Sequence, residues 1–135
     1  MSTSIDRLNP AVLPDAGKVG YSQISIAQSG PLAFVSGQVA WQPDGTPAPT
    51  SLAEQTAIVV KNLQGALDAL QATTDDIAQM RIYVTDLREA TQEIAMGEIM
   101  RFLNGAKPSL TGIGVAALAG PDLQIEVEMV VQVAA

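Results

Sequence analysis

The sequence predicts an α+β fold, one mixed β-sheet with two helices packed on one face. Three observations lead there. Segments of strand and helix periodicity follow one another in the order ββαβαββ. The last of them alternates apolar and polar residues so regularly that one sheet face must be buried and the other polar. Finally, 47% of the 135 residues are hydrophobic but only 4% are aromatic, which suits one domain with an aliphatic core.

Taken in order, Tyr21–Ala27 alternates at period two. Ser29-Gly30-Pro31 then punctuates, and Leu32–Val39 follows, so these two strands are expected to form a hairpin. The prolines and Asp-Gly of Gln42–Pro49 make a loop. Ser51 and Glu54 form a capping box, in which Glu54 is expected to reach back to the amide of Ser51. Leu52, Val59, Leu63, Ala66, Leu67 and Leu70 then mark one helical face. Thr73–Asp76 separates this helix from a β-rich stretch, Met80–Val84, with Asp75 and Asp76 as a capping pair. A second helix is expected from Arg88 to Phe102, with Ala90, Ile94, Ala95, Ile99 and Phe102 inward and Asn104-Gly105 as its stop.

Strands return at Thr111–Leu118 and Gln124–Val133, joined by the turn Ala119–Asp122. In the last strand Ile125, Val127, Met129, Val131 and Val133 share one face, under the helices, and Glu126 and Glu128 share the other. That second face needs a cover, which a homo-oligomer would supply.

Composition excludes much chemistry. Net charge is −7 and the seven cations form no run, which opposes both nucleic-acid and anionic-membrane partners. The absence of cysteine and histidine removes thiol nucleophiles, Ser-His-Asp triads, imidazole acid/base work and the usual zinc sites. Proton transfer then falls to carboxylates, Lys, Tyr or water. The N-terminal MSTSIDRLNP has no apolar run and no stretch approaches membrane-spanning length, so a soluble, cytoplasmic protein is expected.

Few residues carry candidate chemistry. Glu126 and Glu128 lie ~7 Å apart along their strand, either as a solvated face or as an acid/base pair. On a face that becomes an interface, a desolvated carboxylate becomes a usable base. Gly37, after Ser36 within a strand, marks a bulge or the close approach of a ligand. Tyr21 reads as packing and Trp41 as a loop anchor, while Gly112 and Gly114 are only GIG within a strand.

The chain resembles the RidA/YjgF family, also called L-PSP endoribonuclease-like. The likeness spans nearly the whole length. It rests on the order and spacing of Gly20-Tyr21-Ser22-Gln23, Phe34–Val39, Ser51–Thr56 with Lys61-Asn62-Leu63, Ile82–Leu87, Gly114–Pro121 and Ile125–Glu128. The resemblance implies a chorismate-mutase-like sandwich, assembled as a homotrimer with three ligand clefts between neighbouring subunits. It implies hydrolysis of small enamine or imine metabolites to a keto acid and ammonia, with no metal and no organic cofactor. On this likeness Glu126 is the catalytic residue that helps hold the attacking water, and Tyr21, Ser36 and Gly37 line the cleft.

One departure stands out. Members of the family typically read Pro-Ala-Arg-Ser/Thr where this chain has Pro108-Ser109-Leu110-Thr111, so Leu110 occupies the arginine's place. A leucine cannot grip a carboxylate as a guanidinium fork does. The second-helix asparagine of the family also falls near Ile94. Leu110 and Thr111 are therefore expected in the substrate-binding set, in a cleft shared with Glu126, closed by a second subunit and with no arginine bonded to Glu126. Lys107, or Arg101 of a neighbouring subunit, is the available substitute cation. The alternative to a hydrolase of altered substrate choice is a non-catalytic trimer that binds a small metabolite. RNA cleavage is opposed by the missing histidine and the negative charge.

Overall fold

The computed structural model describes residues 5–134. Six strands and two helices follow in the order β1 (Asp6–Leu8), β2 (Ile24–Ile26), β3 (Leu32–Gln38), α1 (Leu52–Ala69), β4 (Ile77–Val84), α2 (Glu89–Leu103), β5 (Ser109–Gly114) and β6 (Ile125–Gln132). Four strands make a mixed sheet in the order β3-β6-β4-β5, in which only the β4–β5 pair is parallel. Strands β1 and β2 form a small antiparallel sheet of their own. Among the described residues, no helix is long and apolar enough to cross a membrane.

The expected hairpin between β2 and β3 does not form. Strand β2 pairs with β1, and β3 pairs with β6 from Leu32 opposite Gln132. The connecting turn is used otherwise: the Pro31 carbonyl accepts the backbone N–H of Val133 at 3.0 Å and the side-chain amide of Gln132 at 3.3 Å. Strand β1 has only three residues and a polar sequence, too short for a periodicity signal. Arg7 ties it down, donating to the Ser25 hydroxyl and to the carbonyl of Ile77 at the head of β4.

Helix α1 buries the face that its spacing marks, with Leu52, Val59, Leu63 and Leu67 inside and Ala66 and Leu70 at the edge of the core. The Ser51 hydroxyl accepts the Glu54 N–H at 3.1 Å. The return arm differs from expectation, because Glu54 accepts from the Ser51 hydroxyl at 3.0 Å rather than from its amide. Buried Gln55 donates to the carbonyls of Pro49 and Asp122 and accepts the Gln124 N–H. Its amide ties the loop before α1 to the entry of β6, which makes the desolvated group a fastener rather than a liability.

Helix α2 is rotated from the expected face. Ala95, Ile99 and Leu103 are buried, Phe102 is half-buried, and Ala90 and Ile94 are exposed. The cause lies in the strand beneath. Strand β5 places Leu110, Gly112 and Gly114 opposite Met80, Ile82 and Val84, on the helix side of the sheet. A glycine pair offers little surface to pack against, so a narrow helix stripe suffices and a hollow remains at Gly112, where an added Cβ would meet nothing within 4 Å.

Two strand boundaries also shift. Strand β5 starts and stops earlier than Thr111–Leu118, because its parallel pairing with β4 runs only from Gln79–Ser109 to Val84–Gly114. Strand β4 starts earlier than Met80, behind a short 3-10 turn, Thr74–Asp76. There Asp76 accepts the Thr73 N–H at 2.8 Å, so one residue of the expected acidic pair does cap.

The two faces of the four-stranded sheet are unlike. Met80, Ile82, Val84, Ile125, Val127, Met129 and Val131 are buried beneath the helices. Register puts Phe34, Arg81, Tyr83, Thr111, Glu126 and Glu128 on the other face, which no helix among the described residues covers.

Candidate functional site

The open face holds the two glutamates of β6. Glu128 lies opposite Arg81, and Glu126 lies opposite Tyr83. The Glu128 carboxylate accepts a short hydrogen bond from the Tyr83 hydroxyl, and Arg81 Nη1 stands 3.8 Å from the same oxygen. Hydrogen bonding to that anion, with desolvation second, holds the Tyr83 phenol above its ordinary pKa. Glu128 is thus engaged within its own sheet.

Glu126 stands apart from this cluster. Among the described residues it has no hydrogen bond and no ion pair, and the nearby arginine serves Glu128 instead. Its carboxyl group lies across Gly37. A Cβ added at Gly37 would sit 2.5 Å from Glu126 Cδ and 2.9 Å from Oε1. The register of β3 against β6 slips between Val35 and Gln38, so the glycine lies in a bulge as well. The bulge re-aims the backbone and the missing side chain leaves room for the carboxylate. Ser36, on the same bulge, is exposed, and its carbonyl accepts the Gln38 amide at 3.0 Å.

A second feature lies round the free edge of β5, beneath the N-terminal half of α2. It is a hollow of about 520 Å³ walled by Tyr21, Leu110, Ile113, Met96 and Met100, with Glu89 and Glu93 also on its wall. Local geometry aims Tyr21 here. Gly20 has φ +95°, and a Cβ there would fall 2.7 Å from Met100 Sδ, so only glycine permits both the turn and the helix contact. Ser22 then pins the segment, donating to the Lys107 carbonyl at 2.6 Å through its hydroxyl and to the Pro108 carbonyl through its N–H.

The site residues expected from sequence therefore fall into two groups. Tyr21 and Leu110 share the hollow, on the helix side and edge of the sheet. Ser36, Gly37, Thr111 and Glu126 belong to the open face. Within one chain Leu110 and Glu126 do not share a cavity: they project from opposite faces, with β4 between their strands.

The substitute cations are engaged elsewhere within the chain. Lys107 donates to the Gly17 carbonyl at 3.3 Å, and Arg101 pairs with Glu98. Trp41 sits over Gly120, and its carbonyl accepts the Asn62 amide at 3.0 Å, as befits a loop anchor. Glu89, Glu93, Met96 and Met100 had escaped sequence reasoning. The signal available was the i, i+4 pair of acids on a helix that follows a β-strand, above a GIG segment with little bulk.

The comparisons with known proteins agree with this fold. A family model described as Endoribonuclease L-PSP matches residues 14–133. The RutC family protein YjgH of Escherichia coli is 37% identical over 100 residues, 74% of this chain and 76% of that protein. Protein HMF1 of Saccharomyces cerevisiae is 24% identical over 123 residues, covering 90% of this chain and 94% of its own. The crystal structure of YyfB from Yersinia pestis, a protein of unknown function in the Rid family, superposes with a TM-score of 0.88 at 32% identity, covering 96% of this chain and 98% of that one. With a matched region this long and a relative this similar over most of its length, the chain belongs to the L-PSP endoribonuclease family, the RidA/YjgF group.

Proposed function

We propose that the chain is a cytoplasmic hydrolase of small imine or enamine metabolites whose substrate choice has moved away from free imino acids. It works as a homotrimer with clefts between subunits. The supporting observation is the Glu126 carboxylate, seated over Gly37 on the open sheet face, with no cation bonded to it among the described residues. Such a group can accept a proton from water attacking an imine carbon. The water oxygen bonds to carbon, the C=N π pair moves to nitrogen, and the protons pass to nitrogen. Loss of ammonia then leaves the carbonyl, so that C=NH plus H2O becomes C=O plus NH3.

The division of the site favours clefts between copies. Tyr21 and Leu110 lie in the edge hollow and Glu126 lies on the open face, so a shared cleft takes one group from each of two copies. Thr111, Ser36 and Gly37 then line the Glu126 side. A second reading, a trimer that binds a metabolite without turnover, is favoured by the apolar Leu110 where the resemblance leads one to look for an anchoring charge. RNA cleavage is opposed by a net charge of −7 and the absence of histidine.

The test compares two substrates. 2-Aminoacrylate generated in situ carries a carboxylate, and a small ketimine without one does not. The protein is expected to speed ammonia release from the neutral ketimine and to add little for 2-aminoacrylate. Glu126→Gln is expected to lower the rate by about 10²–10⁴-fold, the span of general-base catalysis. Gly37→Ala, which pushes the carboxylate aside, should act in the same direction. Equal rates for wild type and Glu126→Gln would remove the hydrolase reading. Ligand binding without any turnover would establish the second.

A further inference from the structure

We infer that the hollow beneath α2 binds a small apolar amine in its ammonium form, with Glu89 and Glu93 as its specificity residues. The cavity makes the first half of the case. At about 520 Å³ it has the size of a small-molecule site, and its inner wall of Leu110, Ile113, Met96 and Met100 is apolar and adaptable. At Gly112 the floor is open, with nothing within 4 Å of where a Cβ would stand. A hydrocarbon body of one ring or a short branched chain fits such a space.

Charge complementarity makes the second half. Among the described residues, the acidic side chains on the wall are Glu89 and Glu93, and no Lys or Arg joins them there. Four residues apart on α2, they stand on one side of the helix with Cβ atoms ~6 Å apart, close enough to flank a single ammonium. Neither has an intramolecular hydrogen bond or ion pair among the described residues. The cations nearby are committed elsewhere. Arg88 chelates Asp86 at 3.0 Å, and Lys107 caps the Gly17 carbonyl. The N-terminus of α2 attracts anions with an effective charge of only about +0.5, which two full carboxylates outweigh. An anionic ligand would meet repulsion and find no guanidinium, whereas an ammonium would find two partners and an apolar bed.

Capture of the amine does not rest on the hydrolase reading, because an ammonium has no C=N bond to hydrolyse, so binding is measured without turnover. Benzylamine hydrochloride, benzyl alcohol and sodium benzoate are titrated into the wild-type protein by calorimetry and thermal shift at low salt. Benzylamine is expected to bind at least tenfold more tightly than benzyl alcohol, and benzoate more weakly than either. Raising the salt to 0.5 M should weaken the amine alone. Glu89→Gln/Glu93→Gln, both exposed positions, should lower amine affinity at least tenfold and leave benzyl alcohol unchanged. Benzoate binding as tightly as benzylamine overturns the inference, as does an amine affinity indifferent to salt and to the double substitution. Loss of turnover in Glu126→Gln with amine binding intact would leave this site standing whatever the reaction proves to be.

Discussion

The two faces of the four-stranded sheet obey different rules, though they are built from the same strands. Under the helices, β4 and β6 present Met80, Ile82, Val84, Ile125, Val127 and Met129, all buried within a single chain. On the opposite face the intervening residues are Arg81, Tyr83, Glu126 and Glu128, beside a Phe34 that is 77% exposed. The first face is completed by its own helices. The second combines one large bare aromatic, a satisfied ionic cluster and a solitary carboxylate. A lone exposed phenylalanine is ordinary, but one beside an uncovered sheet face is what an interface between copies would use. The lesson is that stability and chemistry are segregated by the two-residue period of the strands. Neighbouring residues of β6 therefore serve opposite purposes.

The largest expected effect tests the covered face. Ile125→Ala removes a fully buried side chain and should cost about 2–5 kcal/mol in urea unfolding. A loss below 1 kcal/mol would show that this face is not the structural one. A smaller effect on the fold, but a large one on assembly, is expected at Phe34. As an exposed residue of a lone chain, Phe34→Lys should change unfolding free energy by no more than about 0.5 kcal/mol. If copies cover the open face, the same change should convert the oligomer to monomer in light scattering. A wild type that is monomeric at micromolar concentration would break this half of the comparison.

The smallest effect concerns the ionic cluster. The Tyr83 phenol is held above its ordinary pKa chiefly by its hydrogen bond to Glu128. A raised phenol stays protonated in the fold after the unfolded chain has begun to ionise. Its contribution is therefore complete below about pH 10 and is lost as pH rises through the raised value. The absorbance titration that Tyr83→Phe removes should lie above that of free tyrosine, and Glu128→Gln should bring it down. No difference between wild type and Glu128→Gln would mean that the bond is absent in solution.

Legibility in the sequence tracked the range of the interactions. Local periodicity and capping were enough for both helices, for the buried face of α1 and for the placing of Glu126 opposite the core. Strand partners were not legible: β2 and β3 look like a hairpin because they are adjacent, yet each finds its partner far off in the chain or in a three-residue strand. The rotation of α2 escaped for a related reason, since it depends on two glycines in β5 that come to lie on the helix side of the sheet only through pairing with β4. At the site, Gly37 could be read as either a bulge or a close approach. Folding makes the bulge, and what comes close is not a ligand but the carboxyl group of Glu126, arriving from β6.

By itself the sequence determined the class of fold, its family and the residues that alternate between core and surface, because the 3.6- and 2-residue periods are written in neighbouring positions. Only the tertiary structure decided that Leu110 and Glu126 stand on opposite sides of the sheet, and that Glu89 and Glu93 overlook an apolar hollow. Those facts depend on which strand lies beside which and in what register. Strand register is settled by side chains distant in sequence competing for one buried face.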